Sequence, residues 1–248
     1  MRTVFEQAVQ AYNTIHAPKT LQPKAVLFDM DGVLYRSMHY HARAWHETMA
    51  RHHIDMSEEE AFRLEGMRGL EIIRMKMEAA HRTVDAATAQ RIYDEKGEKF
   101  SSYGSVTIME GILDLMKAVR TSGMTVGVVT GSGQHSLLDK LEHDFRPYID
   151  RRLVVTSFDV EQGKPAPDPY LQGLQKVHAL PHETLVVENA PLGVRSAVAA
   201  GIFTIAVNTG PLEPRLLSRE GASLVFPSVA DLHRQWPSLM QTLAPTAS

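Results

Sequence analysis

The sequence predicts an α/β protein with a doubly wound parallel β-sheet, and two observations support this prediction. Amphipathic helical stretches alternate with short apolar runs, and Gly123 and Gly201 stand where glycines commonly end helices. The runs are apolar at consecutive positions, as in parallel strands buried on both faces. Such alternation predicts a parallel sheet with helices on both sides. The runs are AVLF (25–28), VGVVT (126–130), LVVT (153–156), LVVE (185–188) and TIAV (204–207).

The first predicted strand is followed by a long interval without a strand pattern, residues 37–103. This interval is charged, rich in Met and helical in pattern, as in HYHARAWHETMARHH. A helical insertion of this length predicts a small separate domain. The α/β core is then discontinuous, with residues 21–36 and 104–248, and residues 1–20 form a polar, partly helical N-terminal extension.

The composition of the 248-residue chain narrows the possible functions. The absence of cysteine removes thiol nucleophiles, thiolate metal sites and disulfides. The chain has 26 Lys and Arg against 29 Asp and Glu, a net charge of −3 without a basic run, so we expect no nucleic-acid partner. Neither a secretory signal nor a membrane-spanning stretch is evident, so we expect a protein of the cytoplasm without a membrane partner. We also expect it to be a monomer.

Two carboxylates follow the first predicted strand, in the segment LFDMDGVL. Asp29 and Asp31 are two residues apart, which places both side chains on one side of an extended backbone, and Gly32 lets the chain turn after them. Ligands bind at this edge of α/β sheets. Two close anions repel unless a cation lies between them, and Mg²⁺ prefers oxygen ligands. The pair therefore indicates a magnesium site, although alone it is also typical of an Asp-rich turn.

A possible phosphate site follows the second predicted strand. Thr130 ends that strand, and Gly131 and Ser132 come next, before a helix. A hydroxyl and exposed main-chain amides at a strand-to-helix turn can cradle a phosphate. A dinucleotide site is disfavoured because the third glycine of the usual G-x-G-x-x-G pattern is missing.

Polar side chains also follow the third and fourth predicted strands. Lys164 lies in the stiff segment KPAP, where it can neutralise a phosphoryl oxygen or a carboxylate. Glu188 and Asn189 end the fourth strand and can complete a metal shell. A solvated lysine and a helix N-cap are the alternatives for Lys164 and Asn189 separately. Four such elements at the ends of four successive strands together predict a phosphoryl-transfer site.

The order of these motifs resembles the haloacid dehalogenase superfamily. DxDGV, a strand-ending Thr, KPxPxxY and E(D/N)xxxG occur here in that order, over about residues 24–240. YHARAW (40–45) and KPAPDPY resemble the β-phosphoglucomutase-like branch. ENAPLGV and AVNTGPL resemble a subgroup of that branch which includes hydrolases, some acting on inorganic pyrophosphate. The resemblance implies a Rossmann-like core with an inserted α-helical cap domain.

The resemblance also implies a mechanism. Asp29 attacks phosphorus and forms an aspartyl-phosphate, while Asp31 protonates the leaving oxygen and later takes a proton from the attacking water. Mg²⁺ is held by Asp29, the Asp31 main-chain carbonyl and Asn189, with Glu188 in or near the shell. The residues implied for binding the remaining phosphoryl oxygens are Thr130, Gly131, Ser132 and Lys164.

Two departures from the family pattern bear on the substrate. Asn189 stands where the superfamily often has Asp, so the metal shell carries one negative charge fewer. In the sugar-phosphate mutases of this branch, an Arg three residues after the equivalent of Gly66 grips the distal phosphate, and Gly69 stands there in this chain. Arg68 is adjacent, but one residue along a helix turns a side chain by about 100°. This departure disfavours a mutase.

Two residues of the insertion are further candidates for binding substrate. Glu65, if it faces the metal, narrows the site in favour of a compact substrate such as pyrophosphate. A solvated glutamate beside Glu58, Glu59 and Glu60 is the simpler alternative. His41, with Trp45, either contacts substrate or packs within the insertion.

The leading hypothesis is a Mg²⁺-dependent phosphohydrolase that acts on a small phosphorylated metabolite, with pyrophosphate as one candidate. The alternative is a β-phosphoglucomutase-type enzyme that returns the phosphoryl group to a bound sugar. A receiver domain also accepts phosphate on Asp, but the contiguous DxDG and the helical insertion disfavour that class.

Overall fold

The computed structural model describes residues 2–133 and 135–244. Within them, six strands pair in parallel to form one sheet. The strands are β1 (Ala25–Phe28), β2 (Thr125–Val129), β3 (Val154–Val155), β4 (Thr184–Glu188), β5 (Phe203–Val207) and β6 (Leu224–Phe226). Their spatial order is β3-β2-β1-β4-β5-β6, so the chain moves one way from β1 and later returns to its other side at β4. This reversal beside β1 is where ligands bind in doubly wound sheets.

Eleven α-helices lie within the described residues. They are α1 (Val4–Ile15), α2 (Met38–Arg51), α3 (Glu58–Arg63), α4 (Gly69–Ala79), α5 (Ala86–Ser102), α6 (Ile112–Thr121), α7 (His135–Phe145), α8 (Asp168–Val177), α9 (Pro191–Ala199), α10 (Pro214–Arg219) and α11 (Val229–Leu243). Most of the helices outside α2–α5 cover the sheet, because a parallel sheet with apolar side chains on both faces must be shielded from water on both.

Strand β1 shows how both faces of the sheet are buried. Val26 and Phe28 belong to the apolar cluster formed with α1, α6, α7 and α11. Ala25 and Leu27 belong to the cluster on the opposite face, with α8 and α9. Successive side chains of a strand point to opposite faces, so a run that is apolar at every position fits a sheet covered twice. The predicted doubly wound fold is confirmed.

The elements follow the predictions, with strand ends shifted by one residue in four of the five predicted strands and with two larger differences. All five predicted strands are present, and Gly123 and Gly201 adopt the left-handed conformation just after α6 and α9, with φ of 78° and 75°. The third strand is only two residues long. The sixth strand, Leu224–Phe226, was missed because its three residues give too short an apolar run to stand out.

Helices α2–α5 pack around an apolar cluster of their own, and we call the segment that contains them, residues 37–103, the cap. Every residue of 37–103 is described, and none of them lies in a strand. The centre of this cluster contains Trp45, Met49, Ile73 and Ile92. A separate apolar centre supports the division into a core (21–36 and 104–248) and an inserted domain (37–103), which we retain as a proposal.

The N-terminal extension contains α1, which packs on the sheet beside α11. The Phe5 ring lies 6.3 Å from that of Phe226, and Tyr12 meets Phe203 edge-on. The Tyr12 hydroxyl donates a hydrogen bond to the carbonyl oxygen of Gly201 at 2.7 Å. The extension therefore completes the core beside β5 and β6. Across the described ranges, no helix combines the length and apolarity needed to cross a membrane.

Candidate active site

Parallel pairing brings the candidate residues from β1, β2 and β4 to one edge of the sheet. Phe28 of β1 pairs with Val187 of β4, and the Asp29 amide donates to the Val187 carbonyl oxygen at 3.0 Å. Asp29 therefore lies beside Glu188, the last residue of β4. Gly32, with φ of 82°, turns the chain next to the Asn189 side chain, which a Cβ at Gly32 would overlap.

A buried lysine joins two of these carboxylates. Lys164 Nζ donates to Asp29 Oδ1 and to Glu188 Oε1, both at 2.6 Å, and all three side chains are almost fully buried. Tyr170 donates a further hydrogen bond to Glu188 Oε1 at 2.9 Å. Burial raises the pKa of Asp29 above its ordinary value, and Glu188 and Asp31 add to this, while Lys164 opposes it. One lysine thus faces more carboxylates than it can neutralise.

Asp31 is held by residues of the cap side. Ser37 Oγ donates to Asp31 Oδ1 at 2.5 Å, and His41 Nε2 lies 3.1 Å from the same oxygen. Lys96 Nζ lies 2.6 Å from His41 Nδ1, so a neutral His41 can accept from Lys96 and donate to Asp31. The His41 ring stacks on Phe100 with centroids 4.1 Å apart. A continuous chain of hydrogen bonds therefore links α5 to Asp31.

The ionisation of this chain follows from burial and charge. Burial alone would raise the pKa of Asp31, but His41, Ser37 and Lys96 outweigh it, and the pKa is lowered. Burial, aided by Lys96, lowers the pKa of His41. Burial lowers the pKa of Lys96 to about 8. Asp31 is thus a carboxylate before substrate binds, the form that can take a proton from water.

Glu65 reaches the catalytic edge from the cap. Its side chain is buried, and Asn189 Nδ2 donates to Glu65 Oε1 at 3.0 Å. Burial raises the pKa of Glu65 well above its ordinary value, and Asp29 adds to this. The surface-exposed alternative for Glu65 therefore does not hold in this structure, whereas its part in the reaction stays a prediction.

The predicted phosphate cradle borders a small cavity between core and cap. The cavity has a volume of about 60 Å³. Thr130, Gly131 and Ser132 line it from the core, opposite Glu65 and His41 of the cap. The Ser132 amide donates to Thr130 Oγ1 at 3.0 Å, which fixes the turn. All ten residues predicted from the sequence lie in or next to this cavity: Asp29, Asp31, His41, Glu65, Thr130, Gly131, Ser132, Lys164, Glu188 and Asn189.

Several features indicate how the site could hold a metal. Asn189 Oδ1 is buried and has no hydrogen-bond partner among the described residues, whereas both Glu188 carboxylate oxygens accept hydrogen bonds. Within the described ranges, no three carboxylate or imidazole side chains are grouped closely enough to bind a metal alone. The predicted shell differs from such a group, because it uses the Asp31 carbonyl and the Asn189 amide oxygen. The excess of buried carboxylates over Lys164 and the free Asn189 oxygen fit Mg²⁺.

Three residues that complete the site were not predicted from the sequence. Ser37 donates a hydrogen bond to Asp31 directly, and Lys96 acts on Asp31 through His41. Tyr170 donates a hydrogen bond to Glu188. Tyr170 stood in the quoted KPAPDPY segment, which offered a signal for it. Lys96, in contrast, lies in an ordinary charged helix pattern, and its burial depends on how α5 packs against α2.

The fold and the site define a class: an α/β enzyme with a carboxylate–lysine centre at the sheet edge and helices over it. Residues 26–207 match the haloacid dehalogenase-like hydrolase family. The chain therefore belongs to this family, as its motifs predicted, and it is a phosphoric-ester hydrolase of that kind.

Similar proteins support this assignment. Hexitol phosphatase A of Escherichia coli (strain K12) is 33% identical over 193 residues, covering 78% of this chain and 87% of the relative. Beta-phosphoglucomutase of Bacillus subtilis (strain 168) is 25% identical over 86% of this chain and 95% of the relative. A solved structure from Bacteroides vulgatus, described provisionally as a beta-phosphoglucomutase, has a TM-score of 0.93 and 43% identity, covering 97% of this chain and 98% of that one. The predicted β-phosphoglucomutase-like relationship is confirmed.

Proposed function

We propose that this chain is a Mg²⁺-dependent phosphohydrolase that acts through an aspartyl-phosphate on Asp29 and takes a compact phosphorylated metabolite. The observation that carries the proposal is the position of Asp29. It is held by Lys164 at 2.6 Å beside a cavity of about 60 Å³, with the phosphate cradle on the same wall. A nucleophile, a charge partner and oxygen-binding groups therefore converge at one place.

The residues divide the reaction into two displacements. Asp29 forms a bond to phosphorus while the bond to the leaving oxygen breaks. Asp31, which is ionised in the free site, takes up a proton from solvent when substrate binds and gives it to that oxygen. Water then attacks the phosphorus of the aspartyl-phosphate, the bond to Asp29 breaks, and Asp31 takes the proton from water. Lys164, Thr130 and the Gly131 amide bind the phosphoryl oxygens throughout.

The metal shell in this proposal consists of Asp29, the Asp31 carbonyl and Asn189, with Glu188 behind it. When bound, Mg²⁺ offsets the negative charge of the phosphoryl group. Glu65 is hydrogen-bonded to Asn189 Nδ2, which leaves Asn189 Oδ1 available as a ligand. Glu65 is therefore a positioning residue for the shell.

The geometry around Gly69 favours hydrolysis over phosphoryl return to a sugar. Gly69 offers no side chain to grip a second phosphate. Arg68 Nη1 donates instead to the Glu161 carbonyl oxygen at 2.5 Å, and Arg68 does not line the catalytic cavity within the described residues. A phosphomutase stays the alternative because of the β-phosphoglucomutase relatives.

Two substrate classes fit this proposal. The relatives hexitol phosphatase A and the phosphorylated carbohydrates phosphatase of Thermotoga maritima are named for sugar phosphates. The small cavity and the buried Glu65 favour a more compact molecule, and pyrophosphate is one. Its oxygens can share the bound metal, which suits a site already rich in carboxylates.

A phosphate-release screen tests the proposal. Pyrophosphate, hexose phosphates, hexitol phosphates and phosphoglycolate are compared with Mg²⁺, with EDTA, and with Ca²⁺, whose larger coordination shell should misplace the attacking carboxylate. We expect release that needs Mg²⁺ and is opposed by Ca²⁺. Full activity in metal-free buffer contradicts the metal site. Glucose 6-phosphate forming from β-glucose 1-phosphate faster than free phosphate favours the mutase.

A further inference from the structure

The catalytic cavity and a larger cleft beside it share a wall. The cavity has a volume of about 60 Å³. The outer cleft lies between α4, α5 and the loops that follow β2 and β3, and has a volume of about 430 Å³. Among the described residues, Gly69 and Tyr93 alone line both spaces. The separation therefore depends on this pair.

The two residues of the wall are packed directly on each other. The Tyr93 ring covers Gly69 so closely that a Cβ at Gly69 would overlap the ring. Tyr93 also packs near Trp45, with ring centroids 6.3 Å apart. Its hydroxyl lies near the main chain of Gly133, in the core, and both residues line the outer cleft. The ring is thus placed between the cap and the core.

We propose that Tyr93 determines the size of the substrate: its ring closes the catalytic cavity off from the outer cleft and excludes long leaving groups. A cavity needs at least about 10–15 Å³ to hold one water, so a cavity of about 60 Å³ has room for only a small group. Sites for larger ligands usually begin at about 300 Å³. This inference rests on the proposed function and adds the residue that limits it.

The Tyr93 ring limits the size of the leaving group while the reaction takes place, and not only while the substrate enters the site. The Asp31 carboxylate is hydrogen-bonded to His41 of the cap, so the acid–base group is in place only when the cap is against the core. In that arrangement the Tyr93 ring forms part of the cavity wall. A leaving group that displaces the ring must also separate the two halves of the site. Selectivity should therefore be seen in kcat/KM.

The test compares two primary alkyl phosphates with the same type of scissile bond, ethyl phosphate and sorbitol 6-phosphate. We expect wild-type kcat/KM to be higher for ethyl phosphate. Tyr93→Ala joins the two spaces, so the ratio of sorbitol 6-phosphate to ethyl phosphate should rise by about tenfold or more, the usual range for fitting or excluding a small group. Because both esters are measured on one preparation, the ratio is independent of how much of the variant is folded.

Three further variants test whether a change in the ratio of the two kcat/KM values is due to the size of the Tyr93 side chain. Tyr93→Leu keeps apolar packing but shortens the side chain, and it should shift the ratio in the same direction if Tyr93→Ala fails to fold. Tyr93→Phe keeps the ring and should keep the wild-type ratio within about threefold. Phe158→Ala removes a ring that, in the part of the chain that the structure describes, lines the outer cleft but not the catalytic cavity. This variant should also keep the wild-type ratio within about threefold. An unchanged ratio in Tyr93→Ala or Tyr93→Leu, or an equal rise in Phe158→Ala, overturns the proposal.

Failure of the proposed function can be distinguished from failure of the Tyr93 proposal. If the proposed function is wrong, neither the wild-type protein nor any variant hydrolyses either ester. In that case the dissociation constants of ethyl phosphate and sorbitol 6-phosphate are compared by calorimetry on the same four variants and the wild type. The proposal still requires Tyr93→Ala to favour sorbitol 6-phosphate by about tenfold. Equal affinities in wild type and Tyr93→Ala overturn it without reference to turnover.

Discussion

The core side and the cap side of the site are built in different ways. The core side chains Asp29, Lys164 and Glu188 are held by one another at 2.6 Å, next to the ends of central strands. The cap side chains Glu65 and His41 instead contact core groups, Asn189 and Asp31 respectively, across the interface. The core thus holds the nucleophile whatever the cap does, whereas the cap adjusts the groups around it. Changes in the core should stop the reaction, and changes in the cap should alter its rate or selectivity.

The largest effect is expected at the nucleophile. Asp29→Asn has nearly the same shape but cannot attack phosphorus, so phosphate release should fall by at least about 10³-fold. The melting temperature should stay the same or rise, because the substitution removes one of several repelling buried carboxylates. Phosphate release and thermal unfolding are measured on one preparation. A variant that keeps more than a few per cent of the activity would show that Asp29 is not the nucleophile.

Lys164→Met should cause the largest loss of stability. The substitution leaves Asp29 and Glu188 buried without their cation, and breaking a buried ion pair on one side costs about 3–5 kcal/mol. Denaturant titration measures the free energy of unfolding. Lys24→Met is the matched control, since Lys24 is mostly exposed and its pair with Glu183 should contribute less than about 1 kcal/mol. Equal losses in the two variants contradict the comparison of buried and exposed pairs.

The difference between core and cap also explains what could be predicted from the sequence. Core residues follow short strands, and parallel strands end at a common edge, so Asp29, Thr130 and Glu188 could be brought together without knowing the packing. The fold class could also be predicted, because each apolar run is a local pattern that indicates a buried parallel strand. Strand β6 could not be predicted in this way, because its three residues are too few to give a pattern.

The cap residues were harder to predict because their positions depend on packing between distant segments. Lys96 contacts His41, which is 55 residues away in sequence, and Glu65 contacts Asn189, 124 residues away. Tyr93 meets Gly69 only because α4 and α5 pack together. The resemblance pointed to Glu65 and His41 as candidates, but no local pattern indicated Lys96 or Tyr93.

A smaller effect, on selectivity, is expected at Glu65. Glu65→Ala removes the acceptor for Asn189 Nδ2 and a buried polar side chain from the cavity wall. We expect kcat/KM for pyrophosphate to fall about tenfold more than that for a small organic phosphate, because pyrophosphate depends more on the metal shell. Glu59→Ala is the control, since Glu59 is exposed and paired with Arg63 on the surface of the cap. Equal losses for both substrates would remove the support for pyrophosphate.

The smallest effect is expected at Glu47, a partly exposed residue of the cap that pairs with two cations. Glu47 accepts from Lys99 and Arg43, and these hydrogen bonds lower the pKa of Glu47 to about 2. A carboxylate whose folded-state pKa is lowered stabilises the fold above its unfolded pKa and loses that contribution as the pH falls.

Glu47→Gln should therefore lower the melting temperature at pH 7 by less than about 2 °C. The difference from wild type should shrink between pH 4.5 and pH 2. Salt should also reduce it, because these side chains are partly exposed to solvent. Phosphate release should not change, since Glu47 does not line the catalytic cavity among the described residues. A loss of stability comparable to that of Lys164→Met would show that exposed pairs hold the cap as strongly as buried ones hold the core.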